Sequence, residues 1–235
     1  MKAIRNNIPN AITSLNLVFG CLACIAAFHC YDPMCGSGLK GYECAFIFIA
    51  LAAVADFCDG LVARALHAVS NIGAELDSLA DLVSFGLAPA MVLYNMMLGQ
   101  GAGHWALLAL LLPVFGAIRL ARYNVDSTQG TVFTGLPIPA NAIFWIGFTA
   151  WYAMHPVPLW LVIVLIVALS LLMVCNLRMF SLKMHNLSSL KENWAQYLQV
   201  IATVVAVVAL GLPGLAVAIA LYVLLSIIKK EKTND

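Results

Sequence analysis

Apolar stretches close to twenty residues long alternate with short polar turns along almost the whole chain. Each stretch is long enough to cross the roughly 30 Å hydrocarbon core of a bilayer as a helix. The pattern predicts helices over about Asn10–Phe28, Tyr42–Leu66, Ile72–Met97 and His104–Arg122. A fifth follows Pro137 and Pro139 and runs to about Met154, and a sixth follows the His155-Pro156-Val157-Pro158 turn and ends near Val174. Leu177 to Asn193 is a more polar connector, and two further helices, about Trp194–Leu210 and Gly214–Ile228, flank the Gly211–Gly214 turn. The expected fold is an all-α polytopic membrane protein with about eight transmembrane helices in a single membrane domain.

Composition agrees with that class. The 235 residues are 63% hydrophobic and only 10% charged, with mean hydropathy +0.95, against about 25% charged in a soluble domain. The net charge of +1 and the absence of a basic tract exclude nucleic acid as a partner and leave membrane lipids as the expected surroundings. The first apolar stretch is read as a spanning helix and not a cleaved leader. It is long, it carries Thr13, Ser14 and Asn16, and no small-x-small cleavage site follows it.

Charge placement sets the orientation. With the N-terminus in the cytoplasm, eleven of the twelve Lys and Arg residues fall on the cytoplasmic side. They are Lys2, Arg5, Arg64, Arg119, Arg122, Arg178, Lys183, Lys191, Lys229, Lys230 and Lys232; only Lys40 falls outside. The positive-inside rule then predicts both termini, and the opening of the hairpin between the second and third helices, on the cytoplasmic side.

One segment breaks the apolar pattern. Asp56 to Asp81 holds five of the eleven acidic residues, yet it reads as the ends of two membrane helices joined by a turn. An acidic residue at mid-membrane costs roughly 2.5–3.5 kcal/mol on insertion scales, so such residues usually mark function. At 100° per residue, Asp56, Asp59, Gly60, Ala63 and Arg64 share one helix face. Gly73, Asp77 and Asp81 share a face of the next helix, and Ser70 and Ser84 extend that stripe if the helix continues through them. Glu75 points away. Opposed, these faces bring four carboxylates together at the cytoplasmic end, with Gly60, Ala63 and Gly73 allowing close backbone approach or room for a ligand.

Four close carboxylates repel and attract protons or cations. An oxygen-only ligand set favours Mg²⁺ or Mn²⁺ over zinc or copper, and a pair of such ions is a common device for phosphoryl chemistry. Two other readings stay open here: a cation or proton pathway, and structural pairing of the aspartates with Arg64.

The full spacing, Asp56-x₂-Asp59-Gly60-x₂-Ala63-Arg64-x₈-Gly73-x₃-Asp77-x₃-Asp81, resembles the signature of the CDP-alcohol phosphotransferases without departure. That family consists of integral membrane enzymes that move a phosphatidyl-type group from a CDP-linked lipid to an alcohol and release CMP. Four flanking segments are similar to the branch that uses CDP-diacylglycerol and L-serine. They are Pro9-Asn10-x₂-Thr13-x₂-Asn16-x₃-Gly20, Ser84 to Ala90, Arg119 to Asn124, and Gly135-Leu136-Pro137-x-Pro139-Ala140.

The resemblance implies a helical bundle with a catalytic six-helix core over residues 9–176, a cytoplasmic connector over 177–193 and two additional helices over 194–229. It implies two Mg²⁺ or Mn²⁺ ions, with Asp56 and Asp77 bridging both, Asp59 on the first and Asp81 on the second. Asp81 is also the implied general base, since a serine hydroxyl needs a carboxylate to take its proton as it attacks. Gly60, Ala63, Arg64, Ser70 and Gly73 are the implied CDP-lipid contacts, and the planar guanidinium of Arg64 suits a diphosphate.

Asn10, Thr13 and Asn16 are candidates for lining the nucleotide site, although helix–helix hydrogen bonding explains polar residues on an entry helix equally well. Arg119 and Arg122 are candidates for holding the serine carboxylate, or they are interface anchors. Related enzymes that use glycerol 3-phosphate or an inositol phosphate are the nearest rivals, but a phosphorylated acceptor calls for more basic residues than this chain carries. The resemblance also admits a homodimer. Cys30, Cys35 and Cys44, in or beside the external loop, could supply one disulfide.

Overall fold

The computed structural model of the chain describes residues 2–34, 36, 38–68, 70–125, 133–179 and 193–228. Eight helices account for nearly all of them: α1 (Lys2–Phe28), α2 (Gly41–Ala65), α3 (Asn71–Gly99), α4 (Gly103–Val125), α5 (Ile138–Tyr152), α6 (Leu159–Val174), α7 (Trp194–Leu210) and α8 (Gly214–Ile228). Two two-residue strands, β1 (Phe133–Thr134) and β2 (Arg178–Met179), pair antiparallel with Phe133 opposite Met179. Cys35, Lys183, His185, Lys191, Lys229, Lys230 and Lys232, and most of the expected connector, lie outside the described residues.

Helices α2, α3 and α4, and α1 from Asn7, are long and apolar enough to cross a membrane. The apolar helices α6, α7 and α8 have only 16, 17 and 15 residues. At 1.5 Å per residue they reach about 22–26 Å, short of a full hydrocarbon core.

Three local features differ from the sequence reading. Helix α1 does not start at Pro9 but runs through it from Lys2. Proline forfeits one ladder bond inside a helix, a loss that membrane helices tolerate when neighbours support them. Helix α3 is not uniform, because Leu82–Leu87 forms a π-helical turn between Asn71–Asp81 and Ala88–Gly99. The Ala88 amide bonds back to Val83, so the ladder widens immediately before Pro89, which has no amide hydrogen to continue it. Finally, α4 enters as a 3₁₀ segment over Gly103–Leu110 before becoming α-helical.

The chain divides into two compact units, residues 1–120 and 121–235. In the first, α1 packs along α2 and against α3. Small residues make this approach close: Ala23, Ala26, Ala27, Ala45, Ala52 and Ala80 are fully buried. Phe85, Leu93, Met96 and Met97 of α3 complete the core.

In the second unit, α8 packs against both α5 and α7. Trp145 and Tyr152 of α5 are buried, and the Gln199 amide of α7 donates to the Ala218 carbonyl of α8 at 2.9 Å. The β1–β2 pair continues into backbone bonds from Gly135 to Leu177 and from Leu136 to Leu172.

Cys30 and Cys44 are both buried with free thiols, so the two are not bridged to each other. Burial pushes the Cys30 thiol up to about 12, with Asp32 adding to the shift. It is therefore a protonated, unreactive thiol at neutral pH.

Candidate active site

The two helices of the acidic hairpin bring three carboxylates together. Asp56 and Asp59 lie one turn apart on α2, Asp77 faces them from α3, and one oxygen from each lies within 4.8 Å of the others. Asp59 is buried, while Asp56 and Asp77 are half-buried. Oδ2 of Asp59 and Oδ1 of Asp77 are buried without a hydrogen-bond partner. Unpaired buried charge is strongly unfavourable, and among the described residues no ion pair joins Arg64 to any of the four aspartates. A converging set of hard oxygen donors with unsatisfied atoms fits a divalent metal ion. Glu75 is exposed on the opposite side of α3, as its place in the helical repeat predicts.

Asp81, one turn beyond Asp77, is not part of that 4.8 Å set. It is half-buried, and its Oδ1 accepts from Asn16 Nδ2 of α1 at 3.4 Å. The helix continues through Ser84, which meets the same α1 residue as Asp81. Ser84 falls in the π turn, where its hydroxyl donates to the Asn16 carbonyl at 3.0 Å.

A cavity of about 150 Å³ opens beside Asp59 and Asp77. Asn10, Thr13, Gly60, Ala63, Ser70 and Gly73 all line it, whereas Asn16, the other uncharged candidate for the nucleotide site, does not. The volume is below the roughly 300–1,000 Å³ of a pocket for a whole drug-sized ligand, so it suits one moiety of a larger molecule.

Each wall has a local cause. Ser70 caps α3, its hydroxyl accepting the Gly73 amide at 3.0 Å; it therefore begins the helix instead of extending its stripe. A Cβ on Gly73 would lie 3.0 Å from Asn10 Oδ1 and 3.1 Å from Ser70 Oγ. On Gly60 it would lie 3.8 Å from both terminal nitrogens of Arg64, leaving the exposed guanidinium beside the cavity. Ala68 and Ala74 also line the space. As alanines without polar atoms in their side chains they carry no chemical signal in the sequence.

The two arginines of α4 differ. Arg119 is half-buried, whereas Arg122 is exposed and donates from Nη1 to the Val174 carbonyl at 2.9 Å, at the C-terminus of α6. That contact satisfies a terminal helix carbonyl and places positive charge where the helix dipole favours it. His67, in the hairpin turn, is exposed and has φ of 49°.

The chain belongs to the CDP-alcohol phosphatidyltransferase family, whose model matches residues 6–154. Within it, the chain is similar to proteins named CDP-diacylglycerol–serine O-phosphatidyltransferase. The one from Mycobacterium bovis is 35% identical over 225 residues, 89% of this chain and 72% of the relative. That from Bacillus subtilis is 37% identical over 134 residues, 57% of this chain and 70% of the relative. That from Methanocaldococcus jannaschii is 38% identical over 151 residues, 63% and 64% of the two chains.

Proposed function

We propose that this chain transfers the phosphatidyl group of CDP-diacylglycerol to the hydroxyl of L-serine, giving phosphatidylserine and CMP. The convergence of Asp56, Asp59 and Asp77 beside a cavity lined by six of the residues expected at the CDP-lipid site carries the reading. The names of the relatives support serine as the acceptor.

Asn10, Thr13, Gly60, Ala63, Ser70 and Gly73 would receive part of the CDP headgroup, and Arg64 would pair with a diphosphate oxygen through its planar fork. Asp56, Asp59, Asp77 and Asp81 would hold two divalent ions, Mg²⁺ or Mn²⁺, which when bound neutralise diphosphate charge and stabilise the departing CMP. Asp81 takes the proton of the serine hydroxyl as its oxygen bonds to the phosphorus bearing diacylglycerol, and the bond from that phosphorus to CMP breaks. Arg119 is assigned to the serine carboxylate. Arg122 is the weaker candidate, because one of its nitrogens already serves the Val174 carbonyl.

In this reading all eight helices cross an inner membrane, with both termini and the aspartates at the cytoplasmic face. Helices α5 to α8 are short enough that flanking residues or local thinning of the bilayer must make up the difference. A homodimer belongs to the same reading, and light scattering of the detergent-solubilised protein checks it.

The test is purified protein given CDP-diacylglycerol and labelled serine. CMP release that requires both serine and Mg²⁺ or Mn²⁺ is the expected result. Equal release with glycerol 3-phosphate or an inositol phosphate would overturn the serine assignment. Cation flux in proteoliposomes without any CMP release would overturn the enzyme.

A further inference from the structure

We propose that Asn16 is a positioning residue for Asp81, held in place by Ser84 and Gly20. The inference rests on the reading of Asp81 as the group that accepts the acceptor's proton. Asn16 is fully buried in α1, and its Nδ2 reaches the Asp81 carboxylate at 3.4 Å. That distance is long for a relaxed N–H···O bond, as catalytic contacts often are before substrate binds. Its Oδ1 is buried and has no partner. The amide is therefore not consumed by packing between helices; its Nδ2 serves the aspartate.

The surroundings fix where that amide stands. Ser84 Oγ donates to the Asn16 backbone carbonyl at 3.0 Å, and Ser84 is fully buried. A Cβ on Gly20 would overlap the Ser84 hydroxyl and sit 2.9 Å from Ser84 Cα, so α1 and α3 meet here backbone to backbone. Ser84 lies in the π turn over Leu82–Leu87, which begins at the residue after Asp81. Asp81 thus ends the regular part of α3 and is tied to α1 on two sides: by its own carboxylate to the Asn16 side chain, and through Ser84 to the Asn16 backbone. A π turn at such a position is a frequent mark of a functional site.

The side-chain chemistry is specific. An aspartate at position 16 would add a fifth negative charge to the cluster, and a leucine would give Asp81 nothing to bond. An amide supplies a neutral donor that restricts the rotation of the carboxylate without changing its charge. Asp81 takes this constraint from α1.

The test compares steady-state kinetics and melting of the full-length protein carrying Asn16→Leu or Ser84→Ala with those of wild type. Loss of a partner that orients a ligating or reacting carboxylate typically costs 10–100-fold. For Asn16→Leu the expected result is a fall in kcat of about that size, with KM for CDP-diacylglycerol and for serine within about twofold. Ser84→Ala should lower kcat by less, with the same KM pattern and an almost unchanged melting temperature. An unchanged kcat in well-folded Asn16→Leu would overturn the inference. If Asn16→Leu fails to fold, Ser84→Ala decides: reduced kcat at constant KM supports the role, and wild-type kcat refutes it. Wild-type protein that releases no CMP with serine would instead sink the functional reading itself, so the two failures are distinct.

Discussion

The buried polar groups of residues 1–120 and of residues 121–235 behave differently. In the second unit they are neutral, and Asn141, Gln199 and Ser226 each bond to a neighbour. The Asn141 side chain accepts from Trp145 Nε1 at 3.1 Å, Gln199 donates to Ala218, and Ser226 donates to Tyr222. Their remaining open atoms are single amide or hydroxyl positions. In the first unit the open atoms include carboxylate oxygens of Asp59 and Asp77, and these converge on each other and on a cavity. The Gln199–Ala218 bond joins neighbouring helices, as is common between membrane helices, while the Asn141 and Ser226 bonds stay within their own helices. Charged oxygens left open and clustered are a cost to the fold, and a ligand is the natural explanation for retaining them.

Substitutions can break that contrast at either end. The largest effect is expected for Asp77→Asn, which removes one charge and keeps the shape. CMP release should fall by at least about 10³-fold, since several kcal/mol of transition-state stabilisation depends on the metal set. The melting temperature of the metal-free protein should hold or rise, because like charges are relieved. A large loss of stability instead would make Asp77 a structural residue.

Gly60→Ala comes next. The added methyl group would meet the terminal nitrogens of Arg64 at 3.8 Å, an ordinary van der Waals contact, so the helix should gain up to about 1 kcal/mol from propensity. KM for CDP-diacylglycerol should rise several-fold because the methyl occupies the cavity wall. Kinetics and melting of the same preparation check both signs. Ser70→Ala removes the α3 cap and should cost about 1 kcal/mol of stability, visible as a lower melting temperature with a modest rise in KM.

The smallest effect on turnover belongs to the second unit. Gln199→Leu deletes the bond to Ala218 and should cost about 0.6 kcal/mol of stability, with kcat and KM unchanged. A loss of turnover comparable to that of Asp77→Asn would erase the distinction between the two regions.

Much of the site was legible in the sequence because helical periodicity and charge cost are local properties. Asp56, Asp59 and Asp77 could be placed on facing stripes from spacing alone, and Glu75 could be set aside by the same rule. What escaped was set by tertiary contact. The π turn after Asp81 lies where α1 approaches and just before Pro89, and no periodicity announces it. The bond from Arg122 to Val174 joins residues 52 apart in the chain, which no periodicity encodes. Ala68 and Ala74 line the cavity without a polar atom to announce them. Pro9 looks like a helix-start signal, and nothing local shows that the preceding turn of α1 is also helical.

The central claim is that the carboxylates of α2 and α3 form a divalent-cation site. Titration of purified, metal-stripped protein with Mn²⁺, followed by electron paramagnetic resonance of the free ion, tests it without requiring turnover. Wild type should bind Mn²⁺ saturably, Asp77→Ala should lose that binding, and Glu75→Ala should retain it. Equal Mn²⁺ binding by wild type and Asp77→Ala, or none by wild type, would contradict the account.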